Sequence, residues 1–195
     1  MVKAYKPNDS WAEQAKKTGY RARSVFKLKV LDKKYHLLQP GMRVLDLGAA
    51  PGSWLQYIAQ KIGATGLALG LDLREIEPIG ANVITRVADI ANPEKVVQSL
   101  VALGWDKVDL MVSDIMVNTT GMKAVDAGKS LELDRLVFAL AKKYLKPKGF
   151  LVMKIFEGED LQDFLAELKR YFASVQKEKT QVSRNRSREL YLICH

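Results

Sequence analysis

One cysteine, two histidines and no long apolar run set the first limits on this 195-residue chain. Cys194 has no second thiol to pair with, so an internal disulfide framework is excluded. Its apolar C-terminal run suits a packed residue in a reducing compartment. His36 and His195 are too few for a His-rich metal site, and no metal is expected. No stretch reaches membrane-spanning length and no signal-peptide pattern precedes Trp11, while Asp9 and Glu13 weigh against an organellar transit peptide. A soluble, cytoplasmic protein is expected. Two nucleotide fingerprints are missing as well. Gly48 and Gly52 lie four apart with Pro51 between them, unlike the G-x-G-x-x-G of dinucleotide sites, and no G-x-x-x-x-G-K-[ST] occurs. Repeats, low-complexity tracts and linkers are absent, and the length is that of a single domain, 1–195.

Charge of one sign is not scarce, but it is unevenly placed. Residues 1–34 hold ten Lys/Arg against three acidic residues, and residues 166–195 hold seven against three. The stretch between them, 35–165, is slightly acidic, so the net charge of +9 resides in the two ends. The first end interleaves its cations with Trp11, Tyr20, Val25, Phe26, Leu28 and Leu31, which predicts an ordered basic helical extension over 1–34 rather than a solvated tail. A basic face on an ordered element is an electrostatic footprint for nucleic acid; acidic protein or membrane surfaces rank below it.

The middle of the chain carries the strongest local signal, Val44–Trp54, VLDLGAAPGSW. It reads as a buried strand that passes through a turn of small residues into a helix continued by Leu55, Ile58 and Ala59. Gly48, Ala49, Ala50, Pro51 and Gly52 bring the backbone close to whatever sits at the strand's carboxyl end, where open parallel sheets bind ligands. An ordinary strand–turn–helix would look similar. The acidic residues that follow favour a ligand. Asp72 ends the strand Leu67–Leu73, placed to accept hydrogen bonds from a ribose diol. Asp89 follows the strand Val83–Val87, placed to accept from an adenine amine. Each alone would suit a solvated strand end. Together, after a glycine turn without a pyrophosphate fingerprint, they predict an adenosine-containing cofactor, and S-adenosylmethionine fits best.

Further on, a helix is expected over Pro93–Leu103, a strand over Val108–Ser113, a helix over Lys129–Leu145 stopped by Pro147 and Gly149, and a strand over Phe150–Phe156. Leu161–Phe172 reads as an amphipathic helix. Ala173–Glu178 and Glu189–Ile193 read as two final strands joined by the basic loop Thr180–Arg188. Alternating strands and helices predict an α/β fold, a seven-stranded, mostly parallel sheet covered by helices on both faces, with the last strand antiparallel. Asp114 ends the fourth strand, and Lys154 interrupts an apolar fifth one, where a lysine is costly unless paired or functional. With Lys27 in a basic helix over Tyr20–Leu31 and Glu189 opening the last strand, two lysines and two carboxylates can meet at one pocket. Such a cluster favours the neutral amine of one lysine, able to accept the proton of a ribose hydroxyl. A salt-bridge network closing the rim of the sheet would use the same four residues.

The motifs YRARSVFKL (Tyr20–Leu28), DLGAAPGSW (Asp46–Trp54), SDIMVNTTG (Ser113–Gly121), VMKIFEG (Val152–Gly158) and Ser187-Arg188-Glu189-Leu190 occur in an order that resembles the FtsJ/RrmJ family over essentially the whole length. The resemblance implies a Rossmann-like, S-adenosylmethionine-dependent ribose 2′-O-methyltransferase of large-subunit ribosomal RNA, with a catalytic Lys-Asp-Lys-Glu tetrad at Lys27, Asp114, Lys154 and Glu189. The cofactor contacts it implies are Gly52, Trp54, Asp72, Asp89 and Asp114, beside the turn residues Gly48 and Pro51. A core position for Trp54 is the competing expectation. Arg21, Arg23, Arg184, Arg186 and Arg188 are expected on RNA phosphates. Two departures stand out: Ile115-Met116-Val117-Asn118 replaces a frequent Ala-Pro after the catalytic Asp, which bears on substrate choice, and Ser53 replaces a frequent glycine. The anticodon loop of tRNA is the alternative acceptor, and an inert RNA-binding assembly factor the alternative without catalysis. A monomer is expected.

Overall fold

The computed structural model describes residues 10–116, 123–158, 160–182 and 188–195. Its frame is a seven-stranded sheet in the order β3-β2-β1-β4-β5-β7-β6. The strands are β1 (Arg43–Leu47), β2 (Leu67–Asp72), β3 (Val83–Val87), β4 (Val108–Ser113), β5 (Leu145–Phe156), β6 (Val175–Glu178) and β7 (Glu189–Cys194). The first five run parallel, and β7 lies antiparallel between β5 and β6. This is the Rossmann-like, mostly parallel arrangement, with the last strand reversed as the sequence predicts. The chain winds from β1 outward to β3 and then crosses back to β4 on the other side of β1. The carboxyl ends of β1 and β4 therefore flank the switch point of the sheet, the crevice where such folds bind ligands.

The helices are α1 (Ser10–Lys17), α2 (Val25–Tyr35), α3 (Ser53–Ile62), α4 (Pro93–Val101), α5 (Lys123–Tyr144) and α6 (Leu161–Tyr171). Strand alternation sorts the core into two layers. Val44, Leu110, Val112, Val152, Tyr191 and Ile193 face Leu28 and Leu31 of α2 and Leu55, Ile58 and Ile62 of α3. Leu45, Leu47, Met111, Leu151 and Met153 face α4, α5 and α6, with Phe138 and Phe164 at the centre. Ala15 of α1 packs with Val25, Phe26 and Val182 outside α2. No described helix is long and apolar enough to cross a membrane.

Three elements differ from the sequence reading by more than two residues. The basic helix expected over Tyr20–Leu31 starts later and runs further, as α2 over Val25–Tyr35, with α1 a separate helix before Gly19 at a positive φ of 76°. Helix α5 starts at Lys123, six residues before the expected Lys129, because Gly128 is carried within the helix. Strand β5 starts at Leu145 rather than Phe150, running through a Lys-Pro-Lys-Gly sequence that reads as a stop signal. The strand accommodates it with Lys148 at a φ of 64° and a register shift against β4 between Val108 and Leu110.

Candidate active site

Four charged side chains from four separate elements converge at the carboxyl edge of β4 and β5. Lys27 comes from the first turns of α2, Asp114 follows β4, Lys154 stands near the end of β5, and Glu189 opens β7. They form two ion pairs: Lys27 Nζ to Glu189 Oε1 at 2.5 Å, and Lys154 Nζ to Asp114 Oδ1 at 3.2 Å. Lys154 also donates to the Asp114 carbonyl at 2.8 Å. Both lysines are buried, which an unpaired ammonium would not tolerate.

Tyr191, which the sequence reading did not single out, joins the two pairs. Its hydroxyl donates to Asp114 Oδ1 at 2.7 Å, and the Lys27 ammonium lies 5.6 Å from the centre of its ring. Burial, then the Asp114 and Glu189 carboxylates, push the phenol well above its usual range, so it stays a donor. The signal was present in strand alternation: Tyr191 stands two residues after Glu189 and so shares its face. Beneath it lies Trp54, 3% exposed, with ring centres 6.0 Å apart and its indole N–H donated to the Ser24 carbonyl at 2.8 Å. The structure thus places Trp54 in the core under the tetrad.

The glycine turn lies beside this cluster. Gly48 and Gly52 hold φ of 77° and 99°, a region where any side chain is strained. A Cβ on Gly48 would lie 2.6 Å from the Ile115 side chain, directly after Asp114. Asp72 braces the turn: Oδ2 accepts the Ala50 N–H at 2.9 Å and Oδ1 the Arg74 N–H at 2.9 Å. Asp89 is exposed beyond β3, its Oδ1 accepting the Ala91 N–H at 2.9 Å. The Ala88 N–H bonds the Asp72 carbonyl at 2.8 Å, holding the ends of β2 and β3 together. Asp46, on the α2/α3 side of β1 below the turn, is buried, and its Oδ2 has no hydrogen-bond partner among the described residues. Burial first, then Asp114 and Asp72, raise its carboxyl well above the usual range. An acidic residue two positions before Gly48 in an apolar strand was the available clue.

These carboxylates are a fit test for the cofactor. Asp46, Asp72 and Asp114 surround the switch point and repel one another, and Asp46 has an oxygen to spare. S-adenosylmethionine carries a sulfonium, an ammonium and a ribose diol, which would bring positive charge and donors beside the one buried carboxylate oxygen that has no partner among the described residues. The residues present fit that group.

Of the arginines expected on RNA, Arg188 is exposed and Arg23 half-buried, while Arg184 and Arg186 lie outside the described residues. Arg21 is exposed too, but its guanidinium lies on three carbonyls of the turn and the following loop.

The FtsJ-like methyltransferase profile matches residues 20–195, a span containing all four tetrad positions. The chain belongs to the FtsJ-like methyltransferase family. Among similar proteins, the ribosomal RNA large subunit methyltransferase E of Methanothrix thermoacetophila is 40% identical over 95% of this chain and 71% of its own length. That of Desulfatibacillum aliphaticivorans is 41% identical over 95% of this chain and 88% of its own. A crystal structure of a ribosomal RNA methyltransferase from Plasmodium falciparum superposes with a TM-score of 0.81 at 30% identity, covering 90% of this chain and 97% of that one. The family's general chemistry is S-adenosylmethionine-dependent methylation, and this FtsJ-like methyltransferase carries a carboxylate-lined switch point suited to it.

Proposed function

We propose that the chain methylates a ribose 2′-hydroxyl of large-subunit ribosomal RNA, with Lys27, Asp114, Lys154 and Glu189 as its catalytic residues. The observation that carries the proposal is the pair of buried lysine–carboxylate contacts linked through Tyr191 at the sheet's switch point. When bound, S-adenosylmethionine would supply an electrophilic methyl group whose leaving group, a neutral thioether, needs no acid. Gly48, Pro51 and Gly52 would line its backbone approach, Asp72 and Asp89 would receive its ribose and adenine donors, and Asp46 and Asp114 would stand beside its positive charge.

Two positions on the Lys154 nitrogen face the Asp114 carbonyl and Oδ1. The third would carry the lone pair that takes the proton of the ribose 2′-hydroxyl. Asp114 fixes the direction of that lone pair and stabilises the ammonium that results. Lys27, held by Glu189, places a positive charge beside the nascent alkoxide. Orientation alone supplies about 7–11 kcal/mol in an ideal intramolecular arrangement. Arg23 of the N-terminal basic end and Arg184, Arg186 and Arg188 of the C-terminal one meet RNA phosphates and set the register. The protein works as one domain in the cytoplasm, with its basic N-terminal extension on the RNA side.

The relatives' names support ribosomal RNA as the acceptor. The test is transfer of labelled methyl to deproteinised ribosomal RNA, assembled large subunits and tRNA in parallel. Alkali-resistant incorporation at one ribose of the ribosomal RNA, free or assembled, is the expected result. Incorporation into tRNA alone would move the substrate to the anticodon loop. Cofactor binding with no transfer to any of the three would leave an RNA-binding protein without catalysis.

A further inference from the structure

Arg21 stands at the break between α1 and α2, in the basic N-terminal segment, where a phosphate contact would be expected. Its guanidinium is instead engaged inward. Nη1 donates to the Pro51 carbonyl at 3.1 Å and the Glu77 carbonyl at 2.8 Å, and Nη2 donates to the Pro78 carbonyl at 2.8 Å. These acceptors belong to the glycine turn and to the loop 73–82 that leads from Asp72 to β3. The same loop closes over Gly52. A Cβ there would lie 2.9 Å from Ile79, 3.0 Å from Ile76 and 3.1 Å from Arg21 Nη1.

The arginine is itself held in place from below. Its N–H donates to Gln56 Oε1 at 2.9 Å, Gln56 Nε2 donates to the Gly19 carbonyl at 3.0 Å, and the Tyr20 hydroxyl donates to Gln60 Oε1 at 2.9 Å. Residues 19–21 are thereby fixed to α3, the helix that the glycine turn opens. The guanidinium bridges three carbonyls that no direct hydrogen bond could join, since carbonyls only accept.

We propose that Arg21 is a positioning residue for cofactor binding: it clips the loop 73–82 onto the glycine turn and so fixes one wall of the S-adenosylmethionine site. This rests on the reading that the glycine turn holds that cofactor. A fork of N–H donors at fixed angles reaches all three carbonyls, whereas a lysine ammonium, a point charge on a flexible stem, does not. The basic N-terminal segment therefore serves the cofactor site as well as the RNA face.

The experiment compares wild type, Arg21→Ala and Arg21→Lys by calorimetric titration with S-adenosylmethionine. It adds amide hydrogen exchange over residues 73–82 without ligand, kinetics at varied cofactor, and RNA affinity at several salt concentrations. Loss of charge-assisted bonds of this kind should raise the cofactor Kd about tenfold in Arg21→Ala. Exchange in the loop should quicken, KM for the cofactor should rise, and kcat at saturation should hold. Arg21→Lys should recover little of this, and the salt dependence of RNA binding should match wild type. Unchanged cofactor affinity and loop exchange would overturn the proposal. So would a salt slope reduced by about one with cofactor binding intact, the mark of a phosphate contact. Full recovery in Arg21→Lys would overturn it too, since charge alone would then suffice. If wild type binds no S-adenosylmethionine, the functional reading fails, while loop exchange still decides whether Arg21 is the clip.

Discussion

Tyr191 sits directly opposite Lys154 in the β5–β7 ladder, and its hydroxyl bonds the same Asp114 oxygen that the Lys154 ammonium approaches. One carboxylate oxygen thus has two donors, a buried lysine and a phenol whose burial keeps it protonated. The phenol holds Asp114 still beside the proposed proton acceptor.

Tyr191→Phe isolates that function. The ring and its packing on Trp54 are kept, and only the hydroxyl is lost. Loss of a hydrogen bond to a charged acceptor costs about 1.5–3 kcal/mol, so kcat should fall about tenfold or more. S-adenosylmethionine affinity should stay near wild type. Single-turnover methylation with bound RNA measures the step, and an unchanged rate would remove Tyr191 from the catalytic arrangement.

Lys154→Ala separates chemistry from binding. The proposed proton acceptor disappears, while the turn, Asp72 and Asp46 are untouched. Methyl transfer should be abolished and calorimetric binding of S-adenosylmethionine largely retained. Near-normal turnover on the correct RNA would show that another group takes the proton.

The elements were largely legible in the sequence because each depends on local pattern, whereas the tetrad as a catalytic unit came from the family resemblance and its meeting from the fold. Asp72, Asp114 and Lys154 could be placed at one sheet edge simply by counting along apolar strands. What could not be read depends on distant packing. Nothing local to Arg21 shows that the carbonyls of Pro51, Glu77 and Pro78 are brought beside its guanidinium. The Lys146–Gly149 run reads as a terminator because nothing local shows that β4 offers it a partner. At Gly149, a Cβ would lie 2.8 Å from the Asp109 carbonyl, a closeness set only by that pairing. Tyr191 was legible in principle, since an alternation argument applied to Glu189 extends to it.

Lys27 and Glu189 should couple in stability as well as in catalysis. Their side chains are 10% and 11% exposed, so removing one partner strands a nearly buried charge. Lys27→Met or Glu189→Gln alone should cost about 3 kcal/mol, and the double variant less than the sum of the two. Urea denaturation of the four proteins yields the coupling energy. Strict additivity would mean that the pair is not a unit.

Asp134 makes stability depend on pH in a direction opposite to most carboxylates. It lies buried on α5 and lines a cavity of about 30 Å³ with Ser130, Asp160 and Phe164. Burial pushes its carboxyl up from 3.8 to about 8, against a smaller opposing effect of the Lys154 ammonium. Between those values the folded protein keeps a proton that the unfolded chain has released, so stability falls as pH rises through this window. The slope reaches about 1.4 kcal/mol per pH unit for one such group, flattening below the lower value and above the higher. Asp134→Asn keeps the shape of the protonated acid and removes its titration. The variant should match wild type near pH 4 and exceed it increasingly from pH 5 to pH 8, as read by urea denaturation at stepped pH. Parallel stability curves for the two proteins across that range would mean that Asp134 is ionised in the fold, held by a cation nearer than its burial suggests.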